Sequence, residues 1–189
     1  MFKLLVVVLA ALVVRTLGHA RVTTPTPRKY STVAQNACGA AVYKVLTSDL
    51  TGPLENARKA IDSNYDADAC HLYFCRGAQY DDNVSNTRVY EAGTVVNMKV
   101  DLVAHHTGYA NVSVVDLKAQ KPISRLFTWP VYADETLGPS KWPKNETDFD
   151  VTIPDLGGQC SQAGACAIQW FWYATSNSQT YQSCIDFTQ

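Results

Sequence analysis

Positive charge and long apolar stretches are both scarce in this chain of 189 residues. Its 16 lysines and arginines are outnumbered by 17 aspartates and glutamates, whereas a protein that binds nucleic acid presents an excess of basic side chains. The longest apolar run, residues 4–14, is too short for a helix that crosses a bilayer, which needs about 20 residues. The sequence therefore predicts neither a nucleic-acid partner nor a membrane span, and a neutral polymer fits better as a partner.

Two common site motifs are also missing. The sequence contains no G-x-S-x-G, which argues against a hydrolase with a Ser-His-Asp site. It contains no C-x-x-C pair, the spacing typical of structural zinc sites, although Cys70, His71 and Cys75 leave a Cys-His zinc site open as an alternative.

The first 18 residues have the layout of a secretory signal peptide. Lys3 is followed by the apolar run and then by a small-residue segment that ends at Gly18. Cleavage there leaves residues 19–189, a suitable length for one extracellular domain. Cleavage after Ala20 is the alternative, because Gly18 and Ala20 also satisfy the preference for small residues around the cut.

All six cysteines lie beyond residue 18, and an even number in a secreted chain indicates disulfides. Six cysteines allow fifteen pairings. Favouring short loops, we predict Cys70–Cys75 and Cys160–Cys166, which leaves Cys38–Cys184 as the closure that restricts the unfolded chain most. Three N-x-S/T sequons, at Asn83, Asn111 and Asn145, predict glycosylated surface positions.

Alternating apolar and polar residues predict short strands separated by turns. The clearest is residues 95–103, and others are predicted at 111–115, 149–153, 168–173 and 181–187. Residues 40–50 and 53–61 are predicted to be short helices. The expected fold is mainly β, a β-sandwich with a helical, disulfide-bonded loop region packed on it.

His19 becomes the first residue if the chain is cut after Gly18. Its α-amino group and its imidazole Nδ1 could then chelate one metal ion, and a second histidine would supply a third nitrogen. By the Irving–Williams order, such a nitrogen-rich site favours copper. His105 and His106 follow a predicted strand and point to opposite sides, so one of them is expected to reach the metal. His71 is interpreted as an ordinary histidine.

Three segments carry a resemblance to a known family. H-A-R-V-T-T-P-T-P-R from residue 19, A-H-H-T-G-Y-A-N-V from residue 104 and Q-T-Y-Q-S-C from residue 179 resemble the lytic polysaccharide monooxygenases, particularly the fungal lineages. The resemblance implies an immunoglobulin-like or fibronectin-like sandwich and a copper ion held by His19 and His106. It implies an external electron donor, O2 or H2O2 as cosubstrate, and a secreted monomer that acts on insoluble polysaccharide, cellulose first and chitin second.

Gln179 and Tyr181 match the family's Q-x-Y motif, in which the tyrosine lies axial to copper and the glutamine contacts the oxygen species. The spacing agrees, since residues i and i+2 of a strand share a face about 6–7 Å apart. Gln169 is a weaker competitor for the glutamine role. Trp170 and Trp172 are predicted to be core residues, while Tyr30 and Tyr109 are candidate sugar contacts.

Two other functions stay open at this point. A histidine brace could bind or deliver copper without oxygenase activity. A carbohydrate-binding module would use no metal, and its stability would not respond to copper, since only a ligand that binds the native state stabilises it.

Overall fold

The computed structural model describes residues 19–189, and the predicted signal peptide lies outside them. Two β-sheets and a group of short helices make up the fold. The three-stranded sheet has the order β1-β3-β6, and the five-stranded sheet has the order β2-β8-β7-β4-β5. The strands are β1 His19–Thr24, β2 Arg88–Val89, β3 Val95–Ala104, β4 Gly108–Asp116, β5 Lys121–Tyr132, β6 Asp148–Thr152, β7 Cys166–Ala174 and β8 Gln179–Thr188. The predicted fold class is confirmed.

The strand pattern of β3 is the one that its sequence predicts. Val96, Met98 and Val100 are buried, while Asn97 and Lys99 on the other face are exposed. The buried face packs toward the five-stranded sheet, so the core lies between the two sheets. Each of the five predicted strands is present, with ends that differ by a few residues.

Three strands lack a clear sequence signal: β1, β5 and the two-residue β2. β1 begins at His19 and pairs antiparallel with β3. β5 runs along the edge of the five-stranded sheet and contains Pro122 and Pro130. Proline cannot donate to a ladder of strand hydrogen bonds, so it is confined to edges and irregular positions, and its presence obscures such a strand in the sequence.

The aromatic run of β7 is core, as predicted. Trp170 and Trp172 are fully buried between the sheets. The ring of Trp172 stacks on that of Tyr181 in β8, with the centroids 4.5 Å apart. Gln169, by contrast, pairs in register with Cys184 on the other face of the sheet, away from Tyr181. The weaker alternative for the glutamine role is therefore wrong.

Three helices pack against one another, and one of them contacts β8. They are α1 Thr32–Ser48, α2 Leu54–Arg58 and α3 Ala67–Cys70. α1 starts eight residues before the predicted helix because its first amides donate to the carboxylate of Asp82, far away in the sequence, rather than to a local cap. Gly39 breaks its helical geometry with φ 75°. No helix within residues 19–189 combines the length and the apolar character that a membrane crossing requires.

The structure pairs Cys38 with Cys70, Cys75 with Cys184, and Cys160 with Cys166. The third bridge was predicted, but the predictions Cys38–Cys184 and Cys70–Cys75 are wrong. Cys70 belongs to the cluster between the helices, and Cys75 belongs to a separate cluster against β8. Since both are bonded elsewhere, the alternative of a zinc site is excluded.

Of the three sequons, Asn83 is not a surface position. Its side chain is 2% exposed, and its Nδ2 donates to the carbonyls of Lys29 and Gln79. A glycan on this nitrogen is incompatible with the fold, so the prediction for Asn83 is wrong. Asn145 is exposed, and Asn111 is half-buried within β4.

Candidate metal centre

The pairing of β1 with β3 places His19 beside the candidate second ligands. His19 is opposite Ala104 in an antiparallel register. The start of β1 therefore meets the end of β3, where His105 and His106 leave the strand and the chain crosses to β4 in the other sheet.

The imidazole of His19 is held from the loop between α1 and α2. Its Nε2 lies 2.8 Å from Oδ2 of Asp49. Burial opposes ionisation of Asp49, but hydrogen bonds from Thr51 and the neighbouring His19 outweigh it and lower the pKa of this carboxyl. An ionised carboxylate can only accept, so Nε2 of His19 is the donor, and in the neutral ring Nδ1 is then the nitrogen with a lone pair.

His106 has a carboxylate on the opposite ring nitrogen. Its Nδ1 lies 3.4 Å from Oε2 of Glu135, a long contact. Glu135 also accepts from the hydroxyl of Ser176 at 3.2 Å, and its backbone amide donates to Thr107 at 3.1 Å. These bonds fix the loop after β5 against His106, and a carboxylate near Nδ1 favours Nε2 as the ligand atom.

His105 points elsewhere. Its ring stacks on the partly exposed Trp142, with the centroids 3.7 Å apart and the planes 16° from parallel. Burial, with a smaller contribution from His106, lowers the pKa of His105. His71 is a left-handed residue at the end of α3.

Tyr181 and Gln179 are in direct contact. The Tyr181 hydroxyl donates to Oε1 of Gln179 at 2.6 Å, and Asn177 donates to the same oxygen at 2.8 Å. Burial above all, and then the charges of Glu55 and Asp49, raise the pKa of Tyr181 well above its usual range. Tyr181 therefore keeps its proton.

Three carboxylates of this region were not identified from the sequence: Asp49, Glu55 and Glu135. Glu55 accepts from the amide and the hydroxyl of Thr180, both at 2.8 Å, and so ties α2 to β8 beside Tyr181. None of the three belongs to a motif. Their roles depend on loops that the fold brings together, so no local signal indicates them.

The two candidate sugar contacts differ. Tyr30 is not a free aromatic surface, because its hydroxyl accepts from Arg76 at 2.9 Å and its ring packs on Tyr43. That prediction is wrong. Tyr109 is 43% exposed on β4, and its role stays a prediction.

Across residues 19–189, no three side chains of the His, Cys, Asp and Glu types are grouped so as to hold a metal ion. The predicted site needs only two such side chains, because its third nitrogen is the α-amine of His19. Two imidazoles, each with a carboxylate on one ring nitrogen, fit that donor set.

Residues 19–187 match the sequence profile of a protein family described as "lytic polysaccharide mono-oxygenase, cellulose-degrading". No curated protein matches the chain.

The solved structures that are similar to the chain include three from bacteria. A Bacillus amyloliquefaciens CBM33 in complex with Cu(I) has 14% identity and a TM-score of 0.36, over 54% of this chain and 55% of its own length. A Streptomyces lividans AA10 lytic polysaccharide monooxygenase has 15% identity and a TM-score of 0.38, over 61% and 73%. A chitin binding domain from Burkholderia pseudomallei has 13% identity and a TM-score of 0.40, over 90% and 100%. This chain thus aligns with about half of the Bacillus chain.

Proposed function

This chain belongs to the lytic polysaccharide mono-oxygenase family, and we propose that it is a secreted copper enzyme that oxidises glycosidic bonds of an insoluble polysaccharide. The matched family is the AA10 (CBM33) one, which is bacterial and viral, so the resemblance to fungal lineages is not supported. The match begins at His19, which favours cleavage after Gly18 and a single extracellular domain of residues 19–189.

The groups that would hold copper are the α-amine and Nδ1 of His19, Nε2 of His106 and the hydroxyl of Tyr181. The observation that carries this proposal is the 2.8 Å contact between Nε2 of His19 and Asp49. It commits Nε2 to a carboxylate and assigns the lone pair to Nδ1, the only ring nitrogen that can close a chelate with the α-amine. Three nitrogens favour copper among the first-row divalent metals.

Copper in this position would exchange an electron with an external donor and activate O2 or H2O2 for oxidation of a C–H bond. Gln179 and Tyr181 would orient the cosubstrate beside the metal. Because Oε1 of Gln179 accepts from both Tyr181 and Asn177, its Nε2 remains to donate to the cosubstrate. Tyr181 stays protonated because burial raises its pKa, and its hydroxyl holds the amide in place.

Cellulose is the proposed substrate, as the family description suggests, with chitin as the second choice. Trp142 supports a carbohydrate partner because it is 39% exposed and stacks on His105, next to the proposed ligand His106. Tyr109 is a further exposed aromatic ring. N-linked glycans are proposed at Asn145, which is exposed, and at Asn111.

The test starts from the secreted protein. Mass spectrometry is expected to find His19 at its N-terminus. The processed protein is expected to bind one Cu(II) ion per chain. With a reductant and H2O2, the loaded protein should release oxidised oligosaccharides from cellulose. An N-terminus at Arg21 would remove the α-amine chelate and overturn the proposal. Copper binding without oxidised products would instead indicate a copper-binding protein, and polysaccharide binding with no response to copper would indicate a carbohydrate-binding module.

A further inference from the structure

Arg76 is a buried cation whose guanidinium contacts only uncharged groups among residues 19–189. Its side chain is 6% exposed, and its nitrogens donate to a tyrosine hydroxyl and three backbone carbonyls. The acceptors are Tyr30 Oη at 2.9 Å, Leu46 O at 3.0 Å, Asp49 O at 2.8 Å and Gly52 O at 3.0 Å. Burying a charge is costly unless it is well hydrogen-bonded, and these four hydrogen bonds offset that cost.

The carbonyls that Arg76 binds belong to one short segment. Leu46 lies in the last turn of α1, where carbonyls lack helical partners and the helix dipole favours a cation. Asp49 and Gly52 are the two ends of the loop that joins α1 to α2. Arg76 therefore fixes the end of a helix and both ends of the following loop, which we call the 49–52 loop.

The backbone around Arg76 is itself held in an unusual conformation. Cys75, Arg76 and Gly77 have φ of 51°, 60° and 69°, a left-handed region that side chains other than glycine occupy at a cost. Two disulfides secure this turn. Cys75 is bonded to Cys184 of β8, and a side chain at Gly77 would lie 3.2 Å from each sulfur of the Cys38–Cys70 bridge.

The 49–52 loop reaches β1 through two contacts. The carbonyl of Thr51 accepts from the amide of Ala20 at 3.0 Å, and Asp49 accepts from Nε2 of His19. Within the loop, Oδ1 of Asp49 accepts from the amide and the hydroxyl of Thr51, which orients the carboxylate toward His19.

We propose that Arg76 is a positioning residue for the metal centre: by clamping the 49–52 loop, it holds Asp49 against Nε2 of His19 and presents Nδ1 to the metal. This inference rests on the proposed function for its metal. It adds a residue that acts on the proposed ligand His19 through the 49–52 loop and Asp49.

Gly52 offers a variant that tests the loop alone. A methyl group on Gly52 would lie 2.6 Å from Oδ2 of Asp49, the oxygen that contacts His19. Because the obstacle is the end of a side chain, Gly52→Ala should rotate that carboxylate away at little cost to the fold. Arg76→Lys keeps the charge but cannot reach four acceptors, and Tyr30→Phe removes one acceptor of the guanidinium more gently.

The matched control is Arg28→Lys. Arg28 is also a buried arginine of this region, but its guanidinium binds Asp186 and the carbonyl of Ala78, not the 49–52 loop. This variant should unfold at lower denaturant concentration and leave His19 unaffected.

The first readout needs no metal. Nitrogen-15 NMR of the metal-free processed protein at about pH 8, above the usual imidazole pKa of about 6.5, reports which ring nitrogen of His19 carries the proton. We expect the Nε2–H form in the unaltered protein and in Arg28→Lys. In Gly52→Ala, Arg76→Lys and, to a smaller extent, Tyr30→Phe, the Nδ1–H form should become populated.

The second readout is the Kd for Cu(II), measured by competition. Changes in groups that orient a ligand typically weaken metal binding about 10- to 100-fold, and we expect a loss in that range for Gly52→Ala and Arg76→Lys. A folded Arg76→Lys or Tyr30→Phe protein with an unaltered tautomer and unaltered Kd would overturn the role of Arg76. If the unaltered protein shows the Nε2–H form but binds no copper, the proposed function fails while the positioning of His19 stands.

Discussion

The hydroxyl of Tyr181 and the side-chain oxygen of Gln179 are 2.6 Å apart and two residues apart on β8. Both side chains therefore lie on the face of the strand that is directed toward β1 and away from the helices. Tyr181 supplies the donor, Gln179 the acceptor, and Trp172 stacks beneath the tyrosine ring. A hydrogen bond and a ring stack thus fix the position of the Tyr181 side chain relative to Gln179 and Trp172.

Tyr181→Phe should separate the role of this hydroxyl from that of the ring. The phenyl ring keeps its stacking on Trp172, so the loss in the free energy of unfolding should be about 1 kcal/mol, as for one hydrogen bond. Release of oxidised oligosaccharides should fall strongly, because Gln179 loses the donor that orients it. The comparison is Tyr109→Phe, whose hydroxyl belongs to an exposed side chain and whose removal should leave stability unchanged.

Asp186→Asn should destabilise the protein severely. Asp186 and Arg28 are 1% and 6% exposed and form a bidentate pair with distances of 2.6 and 2.8 Å. Removal of the charge leaves a buried guanidinium without its counter-ion, at a cost of about 3–5 kcal/mol in urea or guanidinium unfolding. The comparison is Lys99→Ala, which breaks an ion pair between Lys99 and Asp148. Both side chains are 53% exposed, so the loss in the free energy of unfolding should be less than about 1 kcal/mol.

Glu146→Gln should stabilise the protein at neutral pH. Glu146 is 3% exposed, and Oε2 has no hydrogen-bond partner among residues 19–189. Burial raises the pKa of Glu146. A hydrogen bond from the Ala133 backbone lowers this pKa, and the charge of Asp134 raises it further. Ionisation of Glu146 therefore costs stability above its folded pKa, and the cost disappears as the pH falls below the ordinary value of 4.5. The gain in the free energy of unfolding of Glu146→Gln, about 1 kcal/mol, should be present at pH 7 and absent below pH 4.5. A gain that persists at low pH would contradict the explanation.

Cu(II) should raise the melting temperature of the processed protein. At a free copper concentration 100-fold above Kd, the native state gains about 2.7 kcal/mol. His19→Ala with a free N-terminus is the control, because it keeps an α-amine but has no imidazole at residue 19 to complete the chelate. Equal stabilisation of the two forms in calorimetry would show that copper binds elsewhere.

The sequence predicted best those features that depend on neighbouring residues in the chain. The alternation of Val96, Met98 and Val100 defines a strand, because a half-buried strand repeats every two residues. Contacts between distant segments were not predictable. Asp49 meets His19 only because α1 ends beside β1, and Glu135 meets His106 across 29 residues of chain.

The errors have the same origin. A preference for short loops selected the wrong partners for Cys70 and Cys75, whose side chains enter different clusters once the helices pack. Asn83 has the motif of a surface site, yet its amide satisfies two carbonyls in the interior. In each case tertiary packing overrode a local pattern.

The long β5 strand at the edge of its sheet has a consequence for self-association of the protein. Two of its twelve residues, Pro122 and Pro130, have no amide hydrogen, and the strand also carries the exposed charge of Arg125. A neighbouring molecule that tried to extend the sheet would find gaps in the row of donors. Even at high protein concentration, pairing of two molecules through the β5 edge is therefore disfavoured.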